Sequence, residues 1–243
     1  MILHIPHSST KMLDGIQVPN LRDSINLMTD WFADELFQFP TATRVVQNLS
    51  RLVVDVERLP QDAMERYGKG HIYTTDVFGY PILRDAEPHI YEGLYNNYHT
   101  WLNTTVAGYL SYFPLVVVVD CHTFNPQPLN WEFDNGDRPD ICLGVNSTHI
   151  PENLVFILAD YFKREGLSVG INVPYHGSII PSQFVDSSDV YSIMIEVKKS
   201  LYINSRYEKR NGFFDDMQYI ITGALRLIDD WENKKESEFW KNL

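Results

Sequence analysis

The sequence predicts an α/β fold: a three-layer arrangement in which a mixed, mainly parallel sheet carries helices on both faces. Three observations lead there. The phrase Leu-Val-Val-Val-Val-Asp-Cys-His at 115–122 is an unbroken apolar run, mostly β-branched, of the kind found in strands covered on both sides. The opening Met-Ile-Leu-His-Ile-Pro-His at 1–7 has the same form. Strand-like runs and helix-like stretches then alternate along the chain, the order that builds parallel sheets.

Taken in order, strands are expected at 1–6, 43–48, 51–57, 115–121, 140–145, 168–172 and 191–197. Helices are expected at 29–38, 89–111, 151–165 and 212–235. Thr29 reads as an N-cap before Asp30-Trp31-Phe32. Arg51 and Arg58 bound the apolar–acidic stretch 51–57, read as a strand. Pro151 stands near a helix start, with Glu152 placed to meet the positive end of the helix dipole. Ile220, Ala224, Leu227, Ile228 and Trp231 recur at helical spacing and form a core face. The stretches 60–84 and 124–139 read as long loops, and the latter follows the 115–122 strand as a substrate wall or lid would. The polar tail 233–243 reads as a fraying helix end.

The 243 residues suit one domain spanning 1–243, with 44% hydrophobic and 21% charged residues. The net charge of −12 and pI near 5.0 argue against nucleic acid and anionic membrane surfaces as partners. A small anionic substrate is compatible, because a few arginines reverse the field inside a cleft. The chain enters its first strand without a basic and apolar leader, and no apolar run is long enough to span a bilayer, so a cytoplasmic protein is expected. Cys121 and Cys142 read as buried free thiols. Cys121 and His122 point to opposite faces of one strand and do not cooperate.

In parallel α/β sheets ligands bind beyond the carboxyl ends of the strands. Two strand ends here present histidine: His4 and His7 on the first, His122 on the fourth. A hydrolytic zinc site uses three protein ligands, commonly two histidines and a carboxylate, and keeps a fourth position open. The acid is either Asp30 or Asp34, with Asp30 preferred. Glu196 sits near the end of the apolar strand 191–197. A carboxylate there is costly unless paired or functional, so it is either a salt-bridge partner of Arg206 or Lys199, or a general base. Asp120, two residues before His122, shares its face and can orient a ligand from behind. Arg51 and Arg58 can fork a substrate carboxylate or pair internally. In Asn172-Val173-Pro174-Tyr175-His176-Gly177-Ser178, Tyr175 and His176 can line a pocket or lie on the surface.

These phrases together resemble the N-formylglutamate amidohydrolase (deformylase) family. The resemblance rests on His-Ile-Pro-His-Ser-Ser (4–9), Thr-Asp-Trp (29–31), Ser-Arg-Leu-Val-Val-Asp-Val-Glu-Arg (50–58) and Gly-Lys-Gly-His-Ile-Tyr-Thr (68–74). It continues through Asp-Cys-His (120–122), Asn-Val-Pro-Tyr-His-Gly-Ser (172–178) and Ile-Glu-Val-Lys-Lys-Ser-Leu-Tyr (195–202). It implies a phosphorylase/hydrolase-like fold akin to zinc carboxypeptidases and aspartoacylases, and cleavage of N-formyl-L-glutamate to formate and glutamate in histidine catabolism. By the same resemblance His7, Asp30 and His122 hold zinc or another divalent metal, and Glu196 is the general base. The resemblance sets Arg51 and Arg58 where related acylases hold the substrate carboxylate; Arg51 and His176 are also expected to stabilise the oxyanion, and Arg58, Arg84, Asn172 and Tyr175 to bind the substrate. Lys199 stands where an arginine is common, and Glu57 where aspartoacylase-like relatives carry asparagine. The same resemblance admits a related acylase or peptidase acting on an N-acyl-aspartate or a peptidoglycan fragment, or a non-catalytic carboxylate-binding member. It is compatible with a homo-oligomer.

Overall fold

A six-stranded sheet forms the centre of the computed structural model, which describes residues 1–132, 137–150, 152–204 and 209–241. The elements run β1 (Ile2–Ile5), β2 (Ile16–Gln17), α1 (Leu21–Met28), α2 (Ala33–Leu36), β3 (Thr43–Val46), β4 (Leu83–Arg84) and α3 (Pro88–Leu110). They continue β5 (Val116–Phe124), β6 (Ile141–Gly144), α4 (Glu152–Arg164), β7 (Val169–Ile171), β8 (Val190–Lys198) and α5 (Phe214–Lys241). The sheet order is β3-β1-β5-β8-β6-β7. The first four strands are parallel, and β6 and β7 run against them. The short pair β2–β4 makes a separate antiparallel ribbon.

Alternation along the central strands sorts their side chains into two layers. Leu3 and Ile5 of β1, Val117, Val119 and Cys121 of β5, and Ile193, Ile195 and Val197 of β8 face one way. They pack there against α2, α4 and α5 through residues such as Leu36, Leu158, Phe162, Ile221, Leu225 and Ile228. Ile2, Val116, Val118 and Val190 face the other way, against Tyr91, Tyr95, Tyr98, Leu102 and Val106 of α3. Every residue of β5 is buried, which explains an apolar run without polar alternation. Full burial of each such aliphatic side chain contributes about 1.5–3 kcal/mol.

The same alternation puts polar residues on the α3 face at the strand ends. His4 is the register partner of Asp120, and His122 is the register partner of Glu196. His4, Asp120, His122 and Glu196 therefore lie across three adjacent strands on one face.

Several elements differ from the sequence expectation. Residues 51–57 form consecutive turns, not a strand. Val53, Val54 and Val56 are buried under α3, but Asp55 accepts a hydrogen bond from the Glu57 amide at 3.1 Å and so competes with an extended ladder. The expected helix 29–38 is divided. Thr29 caps the C-terminus of α1, where its amide donates to Ile25. The Asp30 amide donates to the His7 carbonyl, and Phe32 takes a left-handed conformation (φ 59°) before the single turn of α2. Strand β5 runs to Phe124, so His122 lies within it and not beyond its end. Helix α5 continues to Lys241 through the tail expected to fray. Pro151 and Arg206 lie outside the described residues.

Shortening Ile193 to alanine removes a fully buried side chain from the layer between β8 and α5. We expect Ile193→Ala to lower unfolding free energy by about 2–5 kcal/mol in urea titration. A loss below about 1 kcal/mol would mean this side chain is not packed as described.

Candidate active site

The polar strand ends open into a cavity of about 430 Å³. His7, Asp30, Arg51, Glu57, Arg58, His122, Tyr175, His176, Glu196 and Lys199 contribute to its walls, with Met28, Trp131 and Met194 among the apolar ones. Its position beyond parallel strand ends is the one expected for ligands in open α/β sheets.

Its first group is His7, Asp30 and His122. His7 follows β1 directly, and its main chain binds Asp30 through the carbonyl contact that breaks the helix there. Asp30 Oδ2 lies 3.1 Å from His122 Nδ1 and 3.7 Å from His7 Nδ1. The two imidazole centroids are 5.1 Å apart. Burial raises the Asp30 carboxyl, but hydrogen bonds and charge from His122 and His7 outweigh it and hold Asp30 well below the ordinary range. Asp34, the other candidate acid, lies on α2 and does not join this group.

Each histidine is held from behind by a second carboxylate. His7 Nε2 lies 2.8 Å from Asp55 Oδ1, and His122 Nε2 lies 2.9 Å from Asp120 Oδ1. Asp55 in turn accepts from Arg51 at 2.6 Å and from the Tyr73 hydroxyl at 2.8 Å. Asp120 uses its other oxygen to accept from the Ile179 amide at 3.0 Å. His7 Nδ1 is buried without a hydrogen-bond partner. Two imidazoles oriented by carboxylates, an ionised acid between them and an orphaned ring nitrogen fit a divalent metal such as zinc. Their distances place one ligand atom of each residue within 4.8 Å of the others.

Glu196 faces this group from β8. Burial raises its carboxyl to about 8; His122 pulls it back, and the negative charges of Asp30 and Asp120 add to the rise. One of its oxygens, Oε2, is buried without a partner. Lys199 is also buried, and its ammonium donates to the Leu27 carbonyl at 3.1 Å and to Asn125 Oδ1 at 3.3 Å. Burial lowers it to about 8, opposed by the carboxylate of Asp30. One wall is tied by Tyr175, whose hydroxyl donates to Glu132 at 2.5 Å, and by Arg138, which donates to the same glutamate at 2.8 Å.

Two expected substrate contacts fall elsewhere. Arg84 spends its guanidinium on the carbonyls of Tyr73 (2.6 Å) and Leu52 (2.8 Å), where it ties two loop segments together. Asn172 accepts from the Val145 amide at 2.8 Å and is a turn residue outside the cavity wall. Sequence reasoning missed Glu57, Tyr73, Trp131 and Glu132 as cavity residues. They come from loops without a period, and only the Asp-Val-Glu-Arg phrase hinted at Glu57.

The fold and this cavity define a class: an α/β amidohydrolase whose histidine and carboxylate side chains meet at the ends of parallel strands. The chain belongs to the N-formylglutamate amidohydrolase family, whose sequence profile matches residues 1–203. Its structure is similar to the crystal structure of N-formylglutamate amidohydrolase from Ralstonia eutropha JMP134, at 21% identity and a TM-score of 0.79 over 96% of this chain and 94% of that one. It is also similar to the gene product Atu2144 from Agrobacterium tumefaciens, at 20% identity and a TM-score of 0.60 over 94% and 91% of the two chains. No curated protein matches the sequence. No helix among the described residues is long and apolar enough to cross a membrane.

The raised Glu196 carboxyl has a measurable consequence for metal-free protein. A carboxyl that titrates higher when folded contributes stability that is fully present below its unfolded value of about 4.5. That contribution is lost as pH rises through the folded value of about 8. Glu196→Gln should therefore flatten the fall in melting temperature between pH 5 and 8, measured after exhaustive chelation. An unchanged slope would remove Glu196 as its source.

Proposed function

We propose that the chain hydrolyses N-formyl-L-glutamate to formate and L-glutamate with the help of a divalent metal, zinc by the chemistry of its donors. The observation that carries this reading is the meeting of His7, Asp30 and His122 opposite Glu196 in one cavity. Family membership supports the choice of N-formylglutamate as substrate.

His7 Nδ1, His122 Nδ1 and Asp30 would hold the ion. A zinc ion bound there supplies Lewis acidity and lets water react near neutral pH. Glu196 takes a proton from the attacking water as the water oxygen bonds to the formyl carbon. It then delivers a proton to the amide nitrogen as the C–N bond breaks, releasing formate and the amine of glutamate. A carboxyl raised toward neutrality is suited to both transfers. Arg51, its charge anchored by Asp55, and His176 stand on the cavity wall as stabilisers of the negative oxygen that develops. Arg58 is the cavity arginine least engaged within the protein, with its nearest acid, Asp62, at 3.9 Å. It is our choice for the substrate's carboxylate, with Tyr175 beside the substrate. A cytoplasmic enzyme of histidine breakdown is consistent with this substrate.

The direct test is formate release from N-formyl-L-glutamate together with metal content. Glu196→Gln should retain zinc and lose about 10²–10⁴-fold in kcat; undiminished turnover would remove Glu196 from the mechanism. Chelation should abolish activity and zinc should restore it. Release from N-acetylaspartate in preference would redirect the substrate assignment. Arg58→Met should raise KM for N-formyl-L-glutamate about 10–100-fold, the loss of a charge-assisted contact worth about 1.5–3 kcal/mol. An unchanged KM would place the carboxylate elsewhere.

A further inference from the structure

We infer that a second divalent-cation site lies behind His122, formed by His4, Glu57 and Asp120 together with the far ring nitrogen of His122. His122 would then bridge two ions as an imidazolate, its ring N–H proton released to solvent on binding, with Nδ1 toward Asp30 and His7 and Nε2 toward the inner group. The inference rests on the outer reading only in that shared residue.

The inner donors are a compact set of two imidazole nitrogens and two carboxylate oxygens, all within 4.8 Å of one another. Asp120 Oδ1 lies 2.8 Å from His4 Nδ1 and 2.9 Å from His122 Nε2. Glu57 Oε2 lies 3.6 Å from His4 Nδ1 and 3.8 Å from His122 Nε2. Zinc bonds to nitrogen and oxygen are about 2.0–2.1 Å, so donors at the corners of a tetrahedron stand about 3.3 Å apart. The four distances bracket that value, two shorter and two longer. Mixed imidazole and carboxylate donors suit zinc, and cobalt as its spectroscopic substitute.

Hydrogen bonding alone does not account for this group. The Glu57 contacts are too long for hydrogen bonds, and Glu57 Oε2 is buried with no partner. Such an oxygen costs about 1–3 kcal/mol or more for a charged group, and a bound water or ion is the usual resolution. Asp120 is fixed from its other oxygen by the Ile179 amide. His4 is fully buried on β1 in register with Asp120. Three strand-borne donors are therefore rigidly set, and Glu57 reaches them from the 50–58 turns. Because Glu57 and His122 both line the cavity, an ion has a path in.

The test is metal content of the full-length protein after equilibrium dialysis against zinc, with a cobalt titration followed by visible absorption. The intact chain should hold two equivalents and give two spectroscopic phases. His4→Gln and Glu57→Gln should each lose one equivalent and one phase, while Asp30→Asn should lose the other. Circular dichroism checks the fold of each variant, and the part-exposed, isosteric Glu57→Gln carries the test if His4→Gln does not fold. A metal content that is the same in His4→Gln and Glu57→Gln as in the intact chain would overturn the inner site and leave the outer one standing. Two equivalents that survive Asp30→Asn would support the inner site and count against the outer set. No zinc in the intact chain would overturn both.

Discussion

Strand β5 lies between β1 and β8, and the site depends on the register of those two pairings. His4 opposite Asp120 and His122 opposite Glu196 are consequences of backbone hydrogen bonding. A slip of one residue would turn each polar side chain into the apolar layer beneath α5 and turn valines toward the cavity. Hydrophobic burial on both faces penalises such a slip, so the core that stabilises the sheet also aligns the cavity's acids and bases. Chemistry here is positioned by strands, and loops complete it.

The cavity concentrates acid in a chain that is already acidic, and it separates the behaviour of those acids by environment. Asp30 is flanked by two imidazoles and stays ionised, and Asp55 is held down by Arg51 and His7 against its own burial. Glu196 is raised toward neutrality by its burial, against the pull of His122. Two kinds of carboxylate, one held ionised and one able to exchange a proton, arise from partners and burial alone.

The sequence was legible where a single period ruled. The β-branched run at 115–121 and the apolar repeat at 220–231 each identify an element, and the ends of such runs led to His7, His122 and Glu196. It was less legible where a side chain competes with the backbone. The alternation in 51–57 resembles a strand, yet Asp55 turns its own chain and binds groups of four residues, His7, Arg51, Glu57 and Tyr73. Thr29-Asp30 reads as a helix start, yet the Asp30 amide is claimed by the His7 carbonyl, a contact between residues 23 positions apart. Arg84 carries no local mark separating an arginine that binds ligand from one that ties carbonyls. Trp131 and Glu132 reach the cavity from a stretch without periodicity, so only the folded chain discloses them.

Asp55 links the orientation of His7 to the integrity of a loop. Its carboxylate receives Arg51, Tyr73 and His7, and its amide donates to the His71 carbonyl. The imidazole just beyond β1 is therefore steered by a segment whose own structure is mostly turns. Local opening of residues 50–74 would release His7 without unfolding the sheet, so the lifetime of the assembled site is set by a sub-global unfolding event with a smaller free energy than that of the whole domain. Amide hydrogen exchange at Asp55 would report that event, slower than a fraying terminus and faster than Val118 at the centre of β5.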